Sequence, residues 1–171
     1  GARAKANMTE TVRAWRDYGP DILPLPHPSW RNTAWLSRNP WFEAEVLPYL
    51  QPSRYCPSDQ FGRFVTRAFG DTAGGARVIA ILDWISANID YEHGVSDTET
   101  TAARTFIDRA GVCRDFTHLG MTLCRASGIP ARAVSAYAHQ LEPPDFHAIF
   151  EALLMGPEGP CWYVFDATRQ T

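Results

Sequence analysis

The segment from Cys113 to Ser127 constrains the fold of this chain more than any other. Plotted at about 100° per residue, it shows one continuous apolar arc. The arc contains Cys113, Phe116, Leu119, Gly120, Leu123 and Cys124. This pattern predicts a largely buried helix in which Gly120 is a point of close packing rather than a defect. Gly128, just beyond it, predicts the C-terminal cap of the helix.

Other segments with a clear period complete the architecture. Apolar residues three and four apart predict a helix over about residues 75–89, and TAARTFIDRAG predicts a short second one. ARAVSAYAH alternates like a strand, and the turn signal GPEGP separates two more strand-like runs, DFHAIFEALLM and CWYVFDATR. These elements predict an α+β domain, in which the Cys113 helix packs on a small antiparallel sheet.

The size and composition of the chain favour one globular domain. Its 171 residues are 45% hydrophobic, which is enough for one core but short for two full domains. Eight of the 13 prolines and four of the six tryptophans precede residue 58. Residues 1–57 are therefore predicted to be an irregular segment that packs over the core or links domains, and residues 58–171 to form the core. Because the chain begins without Met and stops directly after a strand-like run, we expect it to be part of a longer polypeptide.

Charge and cysteine usage exclude several functional classes. The net charge of −3 comes without a basic block, so neither nucleic acid nor an anionic membrane is an expected partner. No apolar run approaches the roughly 20 residues of a membrane span, and the first residues lack the apolar centre of a secretion signal. The four scattered cysteines fit reduced thiols in a cytoplasm better than a zinc site, and no cofactor is expected.

Cys113 stands where a helix favours a reactive thiolate. The unpaired N–H groups of a helix N-terminus lower the pKa of a thiol, to roughly 3.5–7.5 in known cases. The backbone N–H of Cys113 would also be free to bind a developing oxyanion. The alternative interpretation is that Cys113 is a small buried hydrophobe, as many free cysteines are.

His147 and Asp166 are the candidates for a base and for the group that orients it. If the hairpin turn is centred between Gly156 and Pro157, Asp166 lies directly opposite His147, close enough to fix the imidazole tautomer. A surface ion pair is the alternative. His118 is nearer in sequence, but five helical positions rotate it about 140° from the thiol, so we interpret it as solvent-facing or supporting. His27, His93 and His139 carry no specific signal.

A thiol at a helix N-terminus, a histidine on a strand and an aspartate across from it form the usual arrangement for cysteine acyl transfer. The blocks AGVCRDFTHLGMTLCRASGIPARAVSAY, FHAIFEALL and WYVFDATR, in that order, resemble the transglutaminase-like superfamily, a branch of the papain-like cysteine enzymes. The resemblance covers about residues 75–169. It implies a papain-like fold with Cys113 as nucleophile, His147 as general base and acid, and Asp166 as the orienting carboxylate.

The resemblance also bears on neighbouring positions. The family often has an aromatic residue where this chain has Ile149, and Pro where it has Ala167; neither departure touches the triad. A second oxyanion donor is expected from upstream of the nucleophile, and Asn88 and Tyr91 both remain open.

Three polar residues near these blocks have expected supporting roles. We expect Asp115 to stabilise the helix dipole. Arg114 is expected either to favour the thiolate or to face water. Arg132 is expected to anchor a strand through a carboxylate or a carbonyl.

The expected function is cleavage of an amide or peptide bond through a thioester, with a peptide or protein as substrate. An arginine-rich chain with one lysine and no evident calcium loop resembles the prokaryotic members of the family. Transamidation of glutamine by the same triad is an alternative, as is a non-catalytic interaction domain of the same fold. An acetyl-transfer enzyme fits less well, and the oligomeric state is open.

Overall fold

The computed structural model describes residues 6–7, 10, 37–38, 40–137, 146–157 and 159–169. Two 3₁₀ turns, Leu47–Tyr49 and Ser58–Gln60, accompany the regular elements. The helices are α1 (Pro40–Glu45), α2 (Gly62–Phe69), α3 (Gly74–Asn88), α4 (Ala102–Asp108) and α5 (Cys113–Ala126). The strands are β1 (Asp90–Tyr91), β2 (Ala110–Gly111), β3 (Ala131–Tyr137), β4 (Phe146–Gly156) and β5 (Gly159–Phe165).

Helix α5 is the centre of the core. It is buried on most of its circumference, because α3, α4 and the sheet all pack against it. Its fully buried leucines, Leu119 and Leu123, each contribute about 1.5–3 kcal/mol by burial. A Cβ on Gly120 would lie 2.7 Å from the ring of Phe150, so the predicted close-packing point is confirmed. Gly128 ends the helix at a φ of 77°, which glycine adopts without strain.

The three-stranded sheet is antiparallel, in the order β3-β4-β5. Arg125, at the end of α5, donates through Nε to the carbonyl of Ala131 at the start of β3, over 3.1 Å. Ala131 in turn pairs with Ala152, which lies two residues beyond Phe150 in β4. Because Gly120 also rests on Phe150, in the middle of β4, α5 and β4 run in the same direction. The starts of α5 and β4 therefore lie toward the same end of the packed pair.

The register of the hairpin differs from the sequence prediction by two residues. Its last pair is Gly156 with Gly159, so the turn lies beyond the predicted centre. Gly159, at a φ of 120°, starts β5 in a conformation that few other residues adopt. The prediction that Asp166 lies directly opposite His147 is therefore wrong. Since side chains alternate with a period of two, a shift of two residues still leaves Asp166 on the face of His147.

The remaining predicted elements agree with the structure to within a few residues. The helix predicted over 75–89 is α3, which buries Val78, Ile81, Leu82 and Ile85. The stretch TAARTFIDRAG contains α4, whose first turn is capped by the hydroxyl of Thr101. Helix α2 and the parallel pair β1–β2 were not predicted. The α+β class, with the Cys113 helix on an antiparallel sheet, is confirmed.

Part of the N-terminal segment is described, and it packs on the core. Contrary to the expectation of an irregular segment, it contains α1, which starts at Pro40, a residue suited to a first helical turn. The ring of Tyr49 meets Trp162 of β5 edge-on at 5.1 Å. Arg125 donates through Nη1 to the carbonyl of Gln51 over 3.0 Å. Most of residues 1–36 lie outside the described residues, so the domain boundary at residue 57 stays a prediction.

Candidate active site

The short parallel pair β1–β2 brings Tyr91 to the entrance of α5. The N–H of Asp90 donates to the carbonyl of Arg109 over 2.8 Å, and that of Glu92 donates to Gly111 over 3.0 Å. These two hydrogen bonds flank Tyr91 on both sides, opposite Gly111. Tyr91 is thereby fixed beside the turn that leads into Cys113.

Asp115 holds that turn from inside. Its Oδ2 accepts the backbone N–H of Val112 over 2.9 Å, which satisfies one of the free donors of the helix end. The carboxyl group is almost completely buried and its charge lies at the positive end of the helix. A Cβ on Gly111 would lie 2.7 Å from the Cβ of Asp115, so the chain needs glycine there. The expected role of Asp115 at the helix dipole agrees with this placement.

The hydroxyl of Tyr91 lies against Cys113. Burial raises the pKa of Tyr91, and the electrostatic interaction with the side chain of Cys113 raises it further, while a hydrogen bond from the backbone N–H of Cys113 acts in the opposite sense. About half of the Tyr91 residue remains exposed, so the group faces both the thiol and solvent. Asn88, the other candidate donor, donates a hydrogen bond from its side-chain amide to the carbonyl of Trp84 over 2.8 Å. The structure thus places Tyr91, and not Asn88, at the thiol.

His147 and Asp166 form a hydrogen-bonded pair. The distance from Nε2 of His147 to Oδ2 of Asp166 is 2.8 Å, and the two side chains are 10% and 13% exposed. His147 is the second residue of β4, and Asp166 directly follows the last residue of β5. The pair is therefore diagonal across the two strands and shielded from water, unlike a surface ion pair.

Thr168 completes the surroundings of Asp166. Its backbone N–H and its hydroxyl both donate to Oδ1 of Asp166, over 2.9 and 2.7 Å. Burial raises the pKa of Asp166, but the hydroxyl and N–H of Thr168 and the imidazole of His147 outweigh it, so the pKa is lowered. Sequence reasoning missed Thr168. The signal that was available is a threonine two residues after an aspartate, which is typical of a side-chain turn.

Cys113 and the His147–Asp166 pair lie toward the same end of the α5–β4 packing. Cys113 is the first residue of α5 and is half-buried. Within the described part of the chain, the thiol makes no hydrogen bond to His147 or Asp166, and Nδ1 of His147 is left without a hydrogen bond. The structure therefore joins two of the three predicted residues directly and places the third at the same end of the domain.

His118 is held away from the thiol. Its ring stacks on Tyr55 at 5.0 Å with an interplanar angle of 6°, so it supports the core instead of facing solvent. Burial lowers its pKa, and the opposing charge of Asp115 only partly offsets this. The ring of His93 meets Tyr91 edge-on at 5.4 Å. His27 and His139 lie outside the described residues.

The two arginines near the predicted site hold loops and strands. Arg114 donates through Nη2 to Oγ of Ser96 over 2.6 Å and to the carbonyl of Asp97 over 2.7 Å, which fixes the loop after Tyr91. Arg132 donates through Nε to Glu151 over 2.6 Å, across the β3–β4 pair. The expectation that Arg132 anchors a strand through a carboxylate agrees with this ion pair.

The four cysteines are free, and their surroundings differ. Cys56 and Cys124 are buried, Cys113 is half-buried and Cys161 is exposed. Burial raises the pKa of Cys124 to about 12. Among the residues that the structure describes, no three His, Cys, Asp or Glu side chains are grouped to hold a metal ion.

The fold and the candidate site agree with the comparison to known families. The family model of the transglutaminase-like superfamily matches residues 63–167, which is more than half of the chain. The chain therefore belongs to the transglutaminase-like superfamily. This confirms the resemblance and the core fold expected from the sequence, and it supports a cysteine enzyme in general.

Two solved structures are similar to this chain. A crystal structure of a candidate cysteine protease from Cytophaga hutchinsonii shares 39% sequence identity, with a TM-score of 0.72 over 91% of this chain and 48% of that chain. The periplasmic domain of TgpA from Pseudomonas aeruginosa shares 24% identity over 75% of this chain and 52% of that one, with a TM-score of 0.56, and shows the fold alone.

An uncharacterised protein of Mycobacterium leprae, ML0607, is 29% identical over 112 residues, which are 61% of this chain and 40% of that protein. The chain spans less than half the length of this relative and of the Cytophaga protein. In the described ranges, none of the helices has both the length and the apolar character that a membrane crossing requires.

Proposed function

We propose that this chain is a cysteine acyl-transfer enzyme that cleaves an amide or peptide bond through a thioester on Cys113. The observation that carries the proposal is the shielded hydrogen bond of 2.8 Å between His147 and Asp166, toward the same end of the domain as the thiol. A cysteine nucleophile requires a base that a third group orients, and a histidine held by a carboxylate is such a base.

The hydrogen bond to Asp166 also selects the working nitrogen of the imidazole. With Nε2 of His147 committed to Asp166, Nδ1 is the atom that takes the proton of the Cys113 thiol. General base catalysis of this kind contributes about 10²–10⁴-fold. The contact between the thiol and the imidazole is long in the free enzyme and tightens when substrate is bound, as catalytic hydrogen bonds often do.

The reaction then follows in two halves. The thiolate attacks the substrate carbonyl, and the negative oxygen is bound by the backbone N–H of Cys113 and the hydroxyl of Tyr91. The imidazolium of His147 gives its proton to the leaving amine, and the thioester remains on Cys113. Water, deprotonated by His147, attacks the thioester and releases the acid. Loss of one oxyanion donor typically costs about 10²–10³ in kcat, which sets the expected effect of Tyr91→Phe.

Hydrolysis of peptides is the favoured reaction. The candidate cysteine protease that shares 39% identity with the chain supports it, and a peptide or protein is the substrate class. Transfer of the acyl group to an amine would use the same residues, because the two outcomes differ only in which nucleophile reaches the thioester.

Substrate profiling tests this proposal. A broad panel of peptides and amides is incubated with wild type, with Cys113→Ala, and with Cys161→Ala as a matched control at an exposed thiol. We expect cleavage by wild type and by the Cys161 variant, and none by Cys113→Ala.

A glutamine peptide offered together with a primary amine then separates the two outcomes. We expect free acid as the main product, whereas a dominant conjugate would replace hydrolysis by transamidation. Cleavage that survives in Cys113→Ala, or an intact wild type that is inactive on every substrate, would contradict the proposal.

A further inference from the structure

Thr168 binds the oxygen of Asp166 that His147 does not use. Its hydroxyl donates to Oδ1 over 2.7 Å and its backbone N–H donates to the same atom over 2.9 Å. The other oxygen, Oδ2, is the one that lies 2.8 Å from Nε2 of His147. Each oxygen of the carboxylate therefore has its own partners, and the plane of the carboxylate is fixed.

The register of the sheet explains this placement. Phe150 pairs with Phe165, so continuing the same register would bring Thr168 opposite His147 and Asp166 two positions away. The chain leaves the strand after Phe165, and Thr168 Oγ1 lies 3.4 Å from the same Nε2. Thr168 is thus close enough to act on both members of the pair.

The guanidinium of Arg169 is a second charged group close to Asp166. Its Nε lies 3.7 Å from Oδ2 of Asp166, on the oxygen that serves His147. Without the hydroxyl, only the backbone N–H of residue 168 holds Oδ1, and the carboxylate can rotate toward the guanidinium and away from the imidazole. The hydrogen bond from the Thr168 hydroxyl is made to a charged acceptor, which makes it stronger than one between neutral groups.

We propose that Thr168 is a positioning residue that acts through Asp166: its hydroxyl keeps the carboxylate turned toward His147, and so supports the thiolate–imidazolium pair of the enzyme. The inference rests on the proposed function, because it assigns a role only if His147 is the base for Cys113. Removal of the hydroxyl weakens the hold of Asp166 on the imidazolium, and the thiolate of Cys113 becomes less stable.

The test compares two substitutions of Thr168 in a Cys161→Ser background. Thr168→Val keeps the shape and removes the hydroxyl, whereas Thr168→Ser keeps the hydroxyl. The rate of alkylation of Cys113 by iodoacetamide is measured against pH, by mass spectrometry of the peptide that contains Cys113. We expect Thr168→Val to slow alkylation about threefold to tenfold near pH 6, and Thr168→Ser to stay within about twofold of the parent.

The controls separate the possible failures. Thermal unfolding identifies a variant that does not fold, in which case Thr168→Ala serves as the second variant without a hydroxyl. Equal rates in the parent and in folded Thr168→Val would overturn the inference while leaving the proposed function intact, and so would an equal loss in the Val and Ser variants. A parent Cys113 with the pH profile of an ordinary thiol, unchanged by His147→Ala, would overturn the proposed function and this inference with it.

Discussion

Gly120→Ala should destabilise the protein although alanine is the better helix former. The new Cβ would lie 2.7, 3.1 and 3.2 Å from three ring atoms of Phe150. That ring has no exposed surface and cannot move aside without disturbing the core. Overpacking of this kind costs about 1–3 kcal/mol, and alanine returns about 1 kcal/mol of helix propensity. Because the shortest contact is closer than real side chains allow, we expect a net loss of about 1–2 kcal/mol.

Urea unfolding measures this loss as a lower midpoint with an unchanged slope. Gly62→Ala is the matched control, since nothing lies within 4 Å of a Cβ there, and it should stay within about 0.5 kcal/mol of wild type. Phe150→Leu makes room for the new Cβ. In that background Gly120→Ala should cost about 1 kcal/mol less than in wild type, and this difference is the coupling energy of the two substitutions. A Gly120→Ala protein as stable as wild type would refute the helix-to-sheet packing described for α5 and β4.

Further predictions concern charge, thiol reactivity and the turn before α5. Because the pKa of Asp166 is lowered in the folded state, its contribution to stability is present above its ordinary pKa of about 3.9 and is lost as pH falls below it. The urea unfolding midpoint of Asp166→Asn should therefore fall less steeply at acid pH than that of wild type. An equally steep fall in both proteins would contradict this. Iodoacetamide near pH 8 should modify the exposed Cys161 and leave Cys124 untouched, because burial raises the pKa of Cys124 to about 12. Equal labelling of the two cysteines in peptide mapping would contradict the burial of Cys124 in the core. Gly111→Ala should lower stability by about 1–3 kcal/mol through the clash with Asp115, and an unchanged melting temperature would count against that contact.

The elements that could be predicted from the sequence are those whose apolar residues recur at the spacing of a helix or a strand. The apolar arc from Cys113 onward determined the position of α5 and the close packing at Gly120, because a helix buried on many sides leaves little choice of residue. The hairpin was predicted from its turn signal, but the register was not. GPEGP offers glycine and proline at several positions, so the centre of the turn depends on the packing of the two strands. The error was by two residues, and for that reason the shared face of His147 and Asp166 survived it.

Other parts of the site depend on contacts that no local pattern shows. The choice between Asn88 and Tyr91 depends on a parallel strand pair of only two residues each, which is too short for alternation to be visible. Thr168 became part of the site only through the chain leaving β5 after Phe165. Helix α2 lacks a capping side chain at its N-terminus, so its sequence carries no start signal.

The central claim is that Cys113 is acylated with the help of His147. p-Nitrophenyl acetate supplies a general acyl donor, and the acetyl group is located by peptide mass spectrometry after a rapid acid quench. We predict a burst of p-nitrophenolate with acetyl on Cys113, absent in Cys113→Ala and slower by about a hundredfold or more in His147→Ala. Acetylation that is spread equally over Cys113 and the exposed Cys161, or a burst that His147→Ala leaves unchanged, would contradict it.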